Sequence, residues 1–180
     1  MMGNFFRKMA GTTKSPPGVG LGEIFWSWLG AFLGIGAVAL INYNFVERTD
    51  LVLLIGSYGA SAVLIYGAIK SPLAQPRNLV GGHLISALIG VAVYKLLFPH
   101  LWLAAALAVS LSIAVMHATK TLHPPGGATA LIYVTGSQKI HHLGFFYAIM
   151  PVGAGVLIML MVALLINNLS PRRQYPEFWL

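Results

Sequence analysis

Apolar residues run along this chain in blocks as long as a membrane-spanning helix, separated by short polar punctuation. A helix needs about 20 mostly apolar residues to cross a bilayer. Blocks of that length are predicted at 24–41, 51–69, 79–98, 101–119 and 143–166, with a tight Pro99-His100 turn joining the third to the fourth. The stretch 125–135 is apolar but too short for a full span, and reads as a half-helix or as an extension of the motif before it. The expected fold is all-α: a polytopic transmembrane helix bundle of five to six segments, with broken or half-helices at two Pro/Gly motifs. It divides into a basic N-terminal segment 1–22, a transmembrane domain 23–169 and a short basic and aromatic tail 170–180. Small residues recur at helical spacing (Gly30 and Gly34, Gly56 and Ala60, then Gly82, Ser86 and Gly90). Such ridges let helix backbones approach closely in lipid, so they are assigned to packing.

Composition sharpens the picture. Hydrophobic residues make up 57% of the 180 and charged residues only 8%, against about 25% charged in a soluble domain. With no cysteine, disulfides and cysteine-bound metals are excluded. The segment 1–22 is basic, rich in Gly and Pro and without an apolar core, unlike a cleavable signal peptide. The net charge of +7 fits acidic lipid or an anionic substrate. Nucleic acid is not expected, because the cations are scattered between apolar blocks. Carboxylates occur only at Glu23, Glu47, Asp50 and Glu177, and none lies in 51–176. That removes paired-carboxylate catalysis, carboxylate proton relays and carboxylate sites for hard cations; no metal, cofactor or enzymatic activity is expected.

Lys and Arg set the orientation, being enriched in cytoplasmic loops. With six crossings, Arg7, Lys8, Lys14, Lys70, Arg77, Lys120, Arg172 and Arg173 fall on one side, against Arg48, Lys139 and a snorkelling Lys95 on the other. The predicted arrangement is a multi-pass protein of the cell (inner) membrane with both termini cytoplasmic. Trp26 and Trp28 mark one interface and Trp102 the other.

Two stretches break the apolar pattern and resemble each other. One runs from Ser71 through Pro72, Gln75, Pro76, Arg77 and Asn78 to Gly81, Gly82 and His83; the other runs from Thr119 through Lys120, His123, Pro124, Pro125, Gly126 and Gly127 to Thr129. Each follows an apolar helix and carries proline, a cation, histidine and a Gly-Gly pair near the next helix start. Proline opens helices, glycine admits close approach, and a helix N-terminus presents free N–H groups and partial positive charge. Each motif is therefore a candidate site for a small anion. The two form a parallel repeat of helix, motif and helix, a device of transporters whose broken helices meet near the midplane. A plain basic turn between spans is the competing reading. The candidate substrate-binding residues are Arg77, Asn78, Gly81, Gly82, His83, His123, Pro124, Pro125, Gly126, Gly127 and Thr129. His117, deep in the fourth span, is added because intramembrane ionisable residues lean functional. His141 and His142 are read as a solvated loop, a poor zinc site with too few ligands, and His100 as interfacial.

The run from His123 to Leu131, His-Pro-Pro-Gly-Gly-Ala-Thr-Ala-Leu, resembles the signature of the HPP family of integral membrane proteins. The runs Gly56-Ser57-Tyr58-Gly59-Ala60-Ser61-Ala62 and Ser71 to Asn78 are similar to that family too, as are Ser15-Pro16-Pro17 and Trp26-Ser27-Trp28. The resemblance implies a small membrane domain usually counted as four spans. It also implies nitrite transport, with which plant plastid relatives are associated; some relatives append regulatory CBS domains, for which this chain has no room. The leading functional expectation is a passive or proton-linked pathway for a small monovalent anion, nitrite by resemblance. Two alternatives stand beside it: an intramembrane enzyme or binding protein for an anionic lipid or phosphate, and a non-catalytic assembly subunit. The expected partners are the lipid bilayer and a small inorganic anion, with homo-oligomerisation left open.

Overall fold

The computed structural model describes residues 5, 7–9, 13–47, 49 and 51–180; Arg48 and much of the segment 1–22 lie outside them. Four helical stretches are long and apolar enough to span a bilayer: Leu21–Val46, Pro76–Leu97, Leu101–Ala118 and Gln138–Leu169. In chain order, α1 is Leu21–Ile41, extended by a π-helical turn Asn42–Val46. α2 is the short helix Ser57–Ala62, extended by a π turn Val63–Gly67. α3 is Pro76–Leu97, α4 is Leu101–Ala118 and α5 is Pro124–Thr135. α6, Gln138–Leu143, leads through irregular turns around Pro151 into α7, Ala154–Leu169.

The predicted second span departs from a continuous helix. Residues 51–55 have no regular secondary structure, and only 57–67 are helical. Hydropathy registers apolar side chains and is blind to how a backbone meets its hydrogen-bonding needs. Here the Asn42 side-chain oxygen accepts from the N–H groups of Leu53 and Leu54 at 3.0 and 3.2 Å. The other end of the crossing reaches Arg173, which donates to the Tyr66 carbonyl. α5 is the second composite crossing: twelve helical residues preceded by a non-helical approach, 119–123. The bundle therefore has four full-length spans and two broken crossings, so the expected five to six segments are present but not all as helices.

α3 is the central post. Its Gly90 lies against the α5 backbone, where a Cβ would come within 2.8 Å of the Ala130 oxygen, and α5 runs parallel to it from the same end. Gly30 and Gly34 of α1 pack on the Tyr66 ring, while Gly155 of α7 packs on Tyr58. Gly56 and Ala60, also predicted as a packing ridge, are exposed instead. Glu23 at the start of α1 pairs with Arg173 beyond the end of α7, so the two ends of the spanning domain share one end of the bundle. Lys70, Arg172 and Arg173 line one cavity at that end, whereas Lys139 lies beside Asn42 and Glu47 at the opposite end. The segment after α7 is folded down: Tyr175 is 2% exposed and donates to the Ala74 carbonyl at 2.7 Å.

Two measurements test this architecture. Gly90→Ala is expected to destabilise the domain by about 1–3 kcal/mol through overpacking; Gly36→Ala, with open space around its missing Cβ, should be neutral in the same unfolding assay. Single cysteines at Gly20 and Pro171 should label from one face of the membrane and a cysteine at Lys139 from the other. Opposite labelling of the first two would remove the even number of crossings.

Candidate functional site

The two composite crossings bring polar side chains to the same place. α2 offers Ser57 and Ser61, one helical turn apart on one face. α3 offers His83, the approach to α5 offers His123, and α5 itself offers Thr129. Ser61, His83, His123 and Thr129 are all 0% exposed, and Ser57 is 1% exposed. They form one hydrogen-bonded cluster. Ser61 Oγ lies 2.7 Å from His83 Nε2 and 3.0 Å from His123 Nε2. His83 Nδ1 lies 2.7 Å from Thr129 Oγ1, which donates to Ser57 Oγ at 2.8 Å. His123 Nδ1 lies 2.8 Å from the Leu73 carbonyl. The imidazole centroids are 5.0 Å apart, and Tyr58 stands edge-on to His83.

The partners assign the protons. A carbonyl only accepts, so His123 carries its hydrogen on Nδ1 and shows Nε2 as a bare acceptor. In the tautomer in which Thr129 gives its hydrogen to Ser57, or to the Pro125 carbonyl 3.3 Å away, His83 Nδ1 donates to Thr129 and His83 Nε2 is a second bare acceptor. Both bare nitrogens face one hydroxyl, and a hydroxyl has one hydrogen to give. In this tautomer the neutral cluster is one proton short of full hydrogen bonding. An added proton on either ring donates to Ser61 Oγ, which then donates to the other ring.

Glycines make the cluster possible. A Cβ on Gly82 would sit 2.5 Å from His123 Cβ, and one on Gly126 would sit 2.7 Å from the Gly82 carbonyl oxygen. Gly81 is closed in the same way by Thr121. Gly127 differs: its missing Cβ would meet only Val109 at 3.7 Å, facing a lipid-side groove of about 490 Å³ between α4 and α5. Pro124 and the exposed His117 line that same groove, away from the cluster. The first turn of α5 offers little backbone to a ligand. Pro124 and Pro125 have no N–H, and Gly126 N donates to the His123 carbonyl at 2.8 Å. Arg77 and Asn78 support the neighbouring turn by donating to the carbonyls of Thr119 and Leu122 at 2.8 and 2.9 Å.

Ser57, Ser61 and Tyr58 were not among the sequence candidates, although they sit in a run already singled out. The readable signal was two serines four apart in an otherwise Gly/Ala-rich apolar stretch. A second polar assembly was also missed. Arg173, whose side chain is 1% exposed, donates to Glu23, Ser27 Oγ, Asn167 Oδ1 and the Tyr66 carbonyl. Asn167 in turn donates to the Ile65 carbonyl at 2.9 Å. The two side chains satisfy the carbonyls that the end of the α2 segment leaves open. His141, expected in a solvated loop, is half-buried in α6: it stacks on Tyr94 at 4.1 Å and bonds the Tyr133 carbonyl at 2.9 Å. No group of three or more His, Cys, Asp or Glu among the described residues is placed to hold a metal.

Four long spans, two broken crossings and a buried Ser–His–Thr centre where the breaks meet define a polytopic α-helical integral membrane protein. The family described as HPP, transmembrane region, matches residues 16–176, and the chain belongs to it. It is 49% and 48% identical to two transmembrane proteins of Dictyostelium discoideum, in each case over 97% of this chain. The matches cover 57% and 63% of those proteins, so the chain spans about three-fifths of their length. No solved structure matches it.

Removing Arg173 would orphan the Tyr66 carbonyl and the Asn167 amide oxygen inside the bundle. Arg173→Ala is expected to cost about 2–3 kcal/mol, the scale of unmet buried acceptors. Arg172→Gln, on an exposed neighbour, should leave the unfolding midpoint unchanged.

Proposed function

We propose that this protein carries a small monovalent anion across the bilayer together with a proton, at the Ser61–His83–His123–Thr129 cluster. The observation that carries this reading is the pair of imidazole Nε2 atoms that face the single hydroxyl of Ser61. Hydrogen bonding there invites one proton, but a proton brings a charge. A buried unpaired charge costs several kcal/mol, and no carboxylate lies anywhere in 51–176 to offset it. A monovalent anion arriving with the proton cancels the charge. The coupling therefore follows from a lack of acid residues, which leaves the counter-charge to the substrate. A divalent anion would overcompensate and is disfavoured.

Half-helices meeting inside a bundle are how many transporters build such sites. Nitrite is the substrate that the family resemblance suggests, and it has the required charge and hydrogen-bond acceptors. The anion meets side chains here more than backbone, given how few free N–H groups the α5 start retains. The end holding Glu23, Lys70 and Arg172 is assigned to the cytoplasm by its excess of cations, in the cell membrane.

The test is nitrite flux into proteoliposomes, with protein-free liposomes subtracted at each pH because the neutral acid crosses lipid unaided. The proton is a co-substrate, so flux should rise as pH falls on the entry side and acidify the lumen. Ser61→Ala removes the shared hydrogen and should lower flux about tenfold or more, the scale of one charge-assisted hydrogen bond. His142→Ala, exposed and outside the cluster, should match wild type. Absence of protein-dependent flux for any small anion would defeat the proposal.

A further inference from the structure

Two cavities open side by side at the end of the bundle where α1 begins. One, of about 410 Å³, is lined by Glu23, Ile69, Lys70, Ser71 and Arg172 among others; its neighbour, of about 380 Å³, reaches Trp26 and again includes Glu23 and Arg172. Arg172 thus forms the ridge between them. The walls hold three cations, Lys70, Arg172 and Arg173, and one carboxylate, Glu23, leaving a net charge of +2. Arg173 is consumed by Glu23. Lys70 and Arg172 are exposed and lack a carboxylate partner within ion-pair distance. Glu177 is close by, with its N–H on Gln75, yet its carboxylate reaches neither cation.

The surroundings point to what Lys70 and Arg172 can hold. At about 30 Å³ per water, either cavity holds roughly a dozen waters, far more than a triatomic anion fills. The walls are mixed: Ser71, whose oxygen accepts from Leu73 N and whose hydrogen remains available, stands beside apolar Ile69 and the Trp26 ring. Around them α1 exposes Leu21, Phe25 and Trp28, aromatic and apolar groups suited to the level where bilayer meets water. A cationic cleft with apolar flanks at that level matches a lipid better than a free ion.

We propose that the paired cavities hold the phosphate-bearing headgroup of an anionic phospholipid, clamped by Lys70 and Arg172 with Ser71 as a hydrogen-bond donor. The apolar flank of Trp26 and the exposed Val19 receives the start of the glycerol and acyl portion. The site adjoins Arg173 and Glu23, so an occupied cleft would reinforce the end of the α2 crossing without touching the buried histidines.

The experiment uses the full chain, purified and placed in phosphatidylcholine nanodiscs, with thermal unfolding and native mass spectrometry as readouts. Phosphatidylglycerol should raise the unfolding midpoint and remain bound after partial delipidation, because a ligand of the folded state stabilises it. The double variant Lys70→Gln/Arg172→Gln should lose retention about tenfold or more while keeping its midpoint in phosphatidylcholine. Lys95→Gln/Lys139→Gln, which removes the same charge from the opposite end, should retain the lipid like wild type. Raising the salt concentration should weaken phosphatidylglycerol binding in wild type. Equal retention in the two double variants, or equal stabilisation by phosphatidylcholine and phosphatidylglycerol, would overturn the proposal. Inorganic phosphate reproducing the full shift, with lipid adding nothing, would overturn the lipid and leave a free phosphate site. Nitrite flux is not a readout here, so the outcome is independent of the transport proposal.

Discussion

Backbone N–H and C=O groups inside a bilayer have no water to turn to, and this protein is organised around meeting that demand at places where helices stop. Each broken crossing leaves loose ends, and each loose end meets a side chain. Asn42 takes the N–H groups of Leu53 and Leu54. Arg173 and Asn167 take the carbonyls of Tyr66 and Ile65. Gln75 donates to the carbonyls of Ile69 and Ser71, and Asn78 and Arg77 donate to the turn before α5. Few polar side chains in the bundle are spare. Those of the Ser–His–Thr cluster stand out because they mostly serve one another.

That cluster exists because two backbones come unusually close. Gly82 on α3 and Gly126 on α5 have no room for a Cβ, and their contact presses His123 toward His83. Breaking the crossings and packing them tightly are two halves of one device. The breaks place residues at mid-bundle, and the glycines bring those residues within hydrogen-bond reach. Histidine suits the position because it can be buried neutral with both nitrogens bonded, which a carboxylate cannot.

Much of this was legible in the sequence. The apolar blocks located the four long helices with ends within about five residues, and the Pro-Pro-Gly-Gly run marked α5 as a helix beginning inside the bundle. His83, His123 and Thr129 converge as their shared motif pattern suggested. The sequence was less informative where long-range bonding decides the outcome. The block 51–69 is apolar enough for a span, and only the remote Asn42 reveals how its first residues meet their hydrogen-bonding needs outside a helix. Ser61 escaped notice because a serine in an apolar run looks like a packing residue until two imidazoles are seen to face it. Arg77 and Asn78 were chosen for charge and polarity, and the folded chain turns both toward carbonyls of the next turn. Gly127 was paired with Gly126 by adjacency, but consecutive helical residues point about 100° apart, which sends one to the cluster and the other to the groove.

The second crossing also bears on how the protein is made. Its helical end is closed by bonds from residues 102 and 107 positions later in the chain. A ribosome adding about 5–20 residues per second needs roughly 5–20 s to supply them. During that interval α1 can already sit in the membrane while 51–67 has two buried carbonyls unanswered. The chain cannot be threaded one finished hairpin at a time. Its second pass must be held in a provisional state, sheltered by the insertion machinery or by water, until the last helix delivers Asn167 and Arg173. Truncation shortly before them would leave an apolar segment with no stable place in the bilayer, a substrate for quality control.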